Sequence, residues 1–184
     1  MDFLLSYPSV LTVKELNVFR GNSHIIKDLS FTVKRGECVH LKGKNGSGKS
    51  TLLEAIAGLI PYKGTVSYES INLCNTEDFL YQELTVKENL SLFLGEFKEP
   101  KFGVRELLEK RVGTLSRGER ARVSLARASL SRPSVLLFDE ITSPLDSDYK
   151  EEFFKFIKDF DGVSVITSHD EIPVSHSITL GELR

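Results

Sequence analysis

Residues 43–51 read GKNGSGKST. The run matches G-x-x-x-x-G-K-S/T, a pattern that works only between a strand and a helix. Both neighbours are present: a buried apolar run over Cys38–Lys42 precedes it, and a helical stretch from Lys49 to Gly58 follows, with Gly58 as its stop. No other stretch limits the fold as tightly. A glycine-rich turn at a helix start lets backbone N–H groups converge on phosphate oxygens. Gly43, Lys44, Asn45, Gly46, Ser47 and Gly48 would form that cradle. Lys49 can reach β- and γ-phosphates, the Ser50 hydroxyl can ligate Mg²⁺, and Thr51 adds a donor near the α-phosphate. The expectation is an α/β protein that holds a nucleotide at the carboxyl end of a strand.

The rest of the chain fits one α/β unit of 184 residues. VLTVKELNVF alternates as a strand does, and HIIKDLSFTVKRGECVHLKG reads as strand, Lys34–Glu37 turn, buried strand. PYKGTVSYESINL reads as a turn with short β segments. From about residue 85 to 110, TVKENLSLFLGEF and GVRELLEK carry helical patterns split by KEPKFG. SVLLFDE and GVSVITSHD read as buried parallel strands, and HSITLGELR as an edge strand. DSDYKEEFFKFIKDF is an amphipathic helix with Tyr149, Phe153, Phe156, Ile157 and Phe160 on one side. A net charge of −2 gives no electrostatic case for a nucleic-acid partner. Cys38 and Cys74 have no metal-ligand spacing and read as reduced thiols, and the four histidines do not cluster. No apolar run approaches the roughly 18 residues of a membrane span. The start, MDFLLSYPSV, does not read as a signal peptide. A cytoplasmic protein is expected, with any membrane role supplied by another chain.

Acids select among phosphate chemistries. Asp139 closes the run SVLLFD, where it can hold Mg²⁺ through water, and Glu140 follows directly. Two acids at a strand end are by themselves a solvated end. Beside a phosphate-binding loop, Glu140 reads as a base that orients and deprotonates an attacking water. His169 ends the strand VSVITSH. In isolation it is a surface or structural residue, and at a strand's carboxyl end it reads as a γ-phosphate sensor. Residues 114–126, TLSRGERARVSLA, then pose a question. Ser116-Arg117-Gly118 opens a second helix suited to an anion, although the chain already has a phosphate loop.

The set resembles the ATP-binding-cassette (ABC) ATPases over nearly the whole chain and in the family's motif order. GKNGSGKST resembles the Walker A loop and LSRGE the LSGGQ signature. SVLLFDE resembles Walker B with the catalytic Glu, SPLD (Ser143–Asp146) the D-loop, and TSHD the H-switch. Phe19 lies where the family has an aromatic that stacks on adenine; its other reading is core packing. The resemblance implies a P-loop core of ABC type with a small antiparallel β subdomain and a short helical subdomain, roughly residues 78–130, in one domain over 1–184. It also implies bound ATP and Mg²⁺. Two cassettes would dimerise head to tail, with Ser116, Gly118, Glu119 and Asp146 of one chain facing the ATP of the other.

Two departures stand out. Arg117 and Glu119 occupy positions where the family has Gly and Gln, and Arg117 is either charge beside the partner's phosphates or a solvated side chain. The Gln expected ahead of the Leu84–Leu90 run is missing. Its register falls at Asn75, Thr76 or Glu77, and Gln82 is too close to Leu84. An amide or hydroxyl, Asn75 or Thr76, suits a triphosphate better than Glu77 does; a solvated loop is the alternative. Phe79, Leu80 and Tyr81 would then dock a coupling helix of the membrane partner. The implied function is an ATP-hydrolysing subunit at the cytoplasmic face that powers transport by a separate membrane-spanning chain, similar to small exporter cassettes such as the haem-exporter ATPase subunit. Two alternatives stay open. One is a non-transport ABC ATPase acting on nucleic acid or ribosomes. The other is a nucleotide-binding regulator, against which Glu140 and His169 argue.

Overall fold

The apolar run at residues 135–139 forms a strand whose successive side chains enter different cores. A computed structural model of the chain describes residues 11–75, 80–94, 100–169, 171, 172, 174 and 176–180. Thr76, Glu77 and Phe79 lie outside the described residues, as does Asp170. Strand β6 (Val135–Asp139) pairs in parallel with β5 (Ile71–Cys74) and β7 (Val163–Thr167). The sheet continues through β3 (Cys38–Lys42) to β8 (His176–Thr179), giving the order β5-β6-β7-β3-β8. Val135 and Leu137 join one buried cluster, Leu136 and Phe138 the other. Both faces of the sheet are therefore covered, as a parallel sheet requires.

One cover is a second sheet, antiparallel, of β2 (Ser23–Val33), β1 (Leu11–Arg20) and β4 (Lys63–Ser67), together with helix α1 (Lys49–Ile56). Leu11, Leu16 and Val18 pack there with Leu52, Leu53 and Ile56 against Val39 and Leu41. The opposite cover comprises α2 (Val86–Leu94), α3 (Arg117–Ser131) and α4 (Ser147–Asp159). Leu90, Phe102, Leu125 and Phe153 fill that core, and Phe153 meets Phe138 edge-on at 5.1 Å. Each such fully buried side chain contributes roughly 1.5–3 kcal/mol from burial.

The α/β class, the small antiparallel sheet and the edge strand all match the sequence reading. Two details differ, and one is added. Helix α1 stops at Ile56, two residues earlier, and Gly58 takes the left-handed conformation just past its end (φ +72°). The segment INLC, read from sequence only as a short β segment, is β5 of the parallel sheet, paired with β6. Phe160 lies beyond α4 as its C-cap, and on that helix only Phe153 and Ile157 are fully buried.

Candidate functional site

Parallel pairing sets β3, β7 and β6 side by side, with Leu41 opposite Thr167 and Thr167 opposite Asp139. The loops that follow these strands therefore leave the sheet at one edge. There they enclose a cavity lined by Ile25, Asn45, Gly46, Gly48, Lys49, Ser50, Thr51, Glu140 and His169. The glycine-rich loop, the second acid and the histidine, read separately from sequence, are brought together.

The loop is shaped to receive an anion. Gly48 has φ +96°, and a Cβ there would lie 2.6 Å from Ile25 Cγ2, so any other residue would be strained and would crowd the Ile25 side chain. Gly48 caps α1 with no side-chain hydrogen bond, which leaves the first N–H groups of the helix without a side-chain partner. Lys49 Nζ donates to Gly43 O at 3.0 Å and to Lys44 O at 3.5 Å, which tethers the ammonium to the loop. The Ser47 hydroxyl is buried with no hydrogen-bond partner among the described residues. An uncapped helix start, a tethered cation and an unpaired buried hydroxyl together fit a polyphosphate.

The acids are ordered by a residue the sequence reading missed. Thr167 Oγ1 donates to Asp139 Oδ1 at 2.6 Å and accepts from Glu140 N–H at 3.0 Å. Glu140 itself has φ +50°, a strained conformation for a residue with a Cβ. Its Oε1 lies 3.7 Å from His169 Nε2, and the His169 side chain is 68% exposed. Among the described residues no group of three or more His, Cys, Asp or Glu is arranged for a metal. Ser50 lines the cavity, and Asp139, held by Thr167, lies next to Glu140 without being among the lining residues.

Phe19 is not among the residues lining this cavity. It is 44% exposed on β1, and its ring stacks on His24 of β2 at 4.1 Å and 11°. Lys63 Nζ lies 5.7 Å from the same ring centroid. Asn75 and Gln82 do not line the cavity either. Gln82 is exposed, with its amide on Leu80 O at 3.5 Å.

The signature residues gather elsewhere. Ser116, Gly118 and Glu119 line a second cavity with Arg122, Pro144, Leu145, Asp146 and Tyr149, and the two cavities share no residue. Ser116 N-caps α3 in a full capping box: its Oγ accepts from Glu119 N–H, and the Glu119 carboxylate accepts from Ser116 N–H at 2.8 Å. The Ser116 hydroxyl proton remains able to donate outward. Lys110 Nζ pairs with Glu119 at 2.9 Å; that contact, then the Ser116 N–H, holds the Glu119 carboxyl down at about 2. Gly118 is required by close approach, since a Cβ there would lie 2.8 Å from Pro144 O. Asp146 caps α4 by accepting from Tyr149 N–H at 3.1 Å. The helix arginines serve packing: Arg122 holds Phe102 O and Glu106 and lies over Tyr149, and Arg127 is buried beside Cys74. Arg117 is exposed at the first helical position.

Known proteins share this chain's family pattern and fold. The family described as ABC transporter matches residues 26–143. The chain is 34% identical over 161 residues to the ABC transporter ATP-binding protein NatA of Bacillus subtilis, covering 72% of this chain and 65% of that protein. It is 33% identical over 187 residues to the zinc import ATP-binding protein ZnuC of Anaplasma marginale, covering 91% of this chain and 76% of that protein. A solved Pyrococcus furiosus chain described as an ABC transporter ATP-binding protein shares the fold, with a TM-score of 0.77 at 24% identity over 94% of this chain and 98% of its own. The chain spans only 65%, 47% and 32% of the length of three of the curated relatives it matches. No helix among the described residues is long and apolar enough to cross a membrane.

Proposed function

The chain belongs to the ABC transporter family, and on that premise we propose that it binds and hydrolyses ATP to power transport by a separate membrane-spanning chain. The observation that supports this most is the single cavity joining the loop Asn45–Thr51 to Glu140 and His169. The N–H groups at the start of α1 and the Lys49 ammonium hold phosphate oxygens. Mg²⁺, when bound through Ser50 and Asp139, supplies charge neutralisation on those oxygens. Glu140, kept in its left-handed conformation by two hydrogen bonds to Thr167, takes a proton from water. His169 orients the terminal phosphate, and Phe19, exposed but outside the cavity lining and already stacked on His24, is the candidate for contact with the base.

The second cavity completes the reading. It shares no residue with the first, so within one chain Ser116 and Gly118 do not reach the nucleotide cavity. A second cassette of the same kind, docked head to tail, would bring the Ser116 hydroxyl and the α3 N-terminus to the phosphates held by its partner. Residues 78–130 form the proposed helical subdomain. Exposed Tyr81 and Leu92, at 59% and 61%, are its candidate contacts with the membrane chain at the cytoplasmic face. Tyr81 is held by buried Asn89, which accepts from Tyr81 N–H at 2.8 Å and donates to Tyr81 O at 3.0 Å.

Phosphate release from Mg-ATP by purified protein tests the proposal. Wild type turns over, and Lys49→Ala loses turnover by at least about 100-fold, the scale for removing one preorganised donor to developing charge. Equal rates in the two proteins would place the activity outside this site.

A further inference from the structure

His40 is a buried histidine, 5% exposed, on the strand that leads into the phosphate loop. Its ring meets no acid or metal ligand in the described contacts. Nε2 lies 3.0 Å from Ser168 O, the carbonyl directly before His169. A carbonyl only accepts, so Nε2 carries the proton in this contact. Ser168 Oγ in turn lies 2.8 Å from Thr142 Oγ1, and Thr142 is fully buried two residues beyond Glu140. One polar chain thus joins β3, the residue before His169 and the loop after Glu140. It spans 128 positions of sequence at its first link.

His169 needs such support. Its side chain is 68% exposed, and its charged neighbour, Glu140, is 3.7 Å away, too far for a hydrogen bond. Side-chain packing therefore does not aim the imidazole, and the direction of its Cα–Cβ bond is set by the peptide in front of it. We propose that His40 is a positioning residue: by holding the Ser168 carbonyl it fixes the backbone that points His169 into the cavity. This rests on the reading of His169 as a nucleotide contact. It adds a residue that touches neither phosphate nor water and acts through another.

Three variants separate positioning from bulk structure. His40→Leu fills the space without a donor. His40→Gln places an amide N–H at the ε position, and His40→Asn places one a carbon short. Steady-state hydrolysis and the ring ¹⁵N resonances of His169 are measured for each. The expected pattern is a fall in kcat of about 10–100-fold in Leu and Asn, the cost of a displacement near 1 Å, with the KM for ATP within about twofold. His169 resonances shift in both, and Gln restores both readouts. If Leu fails to fold, the Gln–Asn contrast decides alone. Wild-type kcat in Asn or Leu, or a loss shared equally by Gln, overturns the inference. A wild-type protein without Lys49-dependent turnover would remove the proposed function, and the His169 resonances would still decide whether His40 sets that ring.

Discussion

Glu140 combines a chemical role with an unfavourable backbone. Its φ of +50° costs a residue with a Cβ about 1–2 kcal/mol relative to glycine. The conformation persists because Glu140 N–H bonds both the carbonyl and the hydroxyl of Thr167, and the turn re-aims the carboxylate toward the loop that holds Lys49. Glu140→Gly is therefore expected to raise thermal stability by roughly 1 kcal/mol, or about 2–4 °C at this chain length, while ATP hydrolysis is lost. A melting scan and a phosphate-release assay check both halves, and a lowered melting temperature would show that the turn is not strained. That Lys49, Ser50 and Glu140 would meet at one cavity was legible in the sequence because each sits in a contiguous run whose order carries the chemistry. Thr167 and His40 were not, because their partners, Asp139 and Ser168, are distant in sequence and are brought close only by the pairing of parallel strands.

At the scale of elements, the start of α3 shows how one stretch carries two readings. Glu119 was read as a nucleotide contact, and the structure engages its carboxylate with Ser116 N–H and Lys110 Nζ. An acid three residues into a helix favours the helix dipole, yet it also brings negative charge to a surface proposed to face phosphate. Lys110, from the turn before α3, offsets that charge at 2.9 Å. The Glu119 carboxyl is depressed from its usual 4.5 to about 2. A depressed carboxyl stabilises the fold above its unfolded pKa, and that contribution fades as pH falls toward the folded value. Glu119→Gln should therefore melt below wild type at pH 6, with the gap closing between about pH 4.5 and 2. Melting curves at stepped pH read this directly, and a constant gap would mean the charge is not what stabilises the cap. The helices and strands themselves followed from hydrophobic period and glycine stops. Strand β5 was left without a sheet because a four-residue segment carries no signal for which sheet takes it; pairing with β6 decided that.

At the scale of the whole molecule, two anion-receptive surfaces are held on one framework without meeting. The phosphate loop lies at the ends of the parallel strands, and the signature cavity lies between the starts of α3 and α4. Gly118 lies so close to Pro144 O that a Cβ there would come within 2.8 Å, so the signature and the D-loop lie side by side. Each cavity supplies part of a cage: the first has the helix start, Lys49, Glu140 and His169, the second has the Ser116 hydroxyl and a further helix start. In the proposed head-to-tail dimer a second cassette, rotated to face the first, would close both cages at once, and for two identical chains a twofold axis would make the sites equivalent. On that proposal, affinity between cassettes would depend on nucleotide, because the interface would lack its central anions without it, and hydrolysis would weaken the contact. Glu140→Gln keeps the side chain's size and removes its base, so bound ATP persists. In that variant, size-exclusion with light scattering should show a monomer alone and a dimer near twice 20.7 kDa with Mg-ATP. Adding Ser116→Arg places a bulky side chain at the cavity and should return the protein to monomer while Mg-ATP still binds one chain. A dimer that persists through Ser116→Arg would put the contact surface somewhere other than the start of α3.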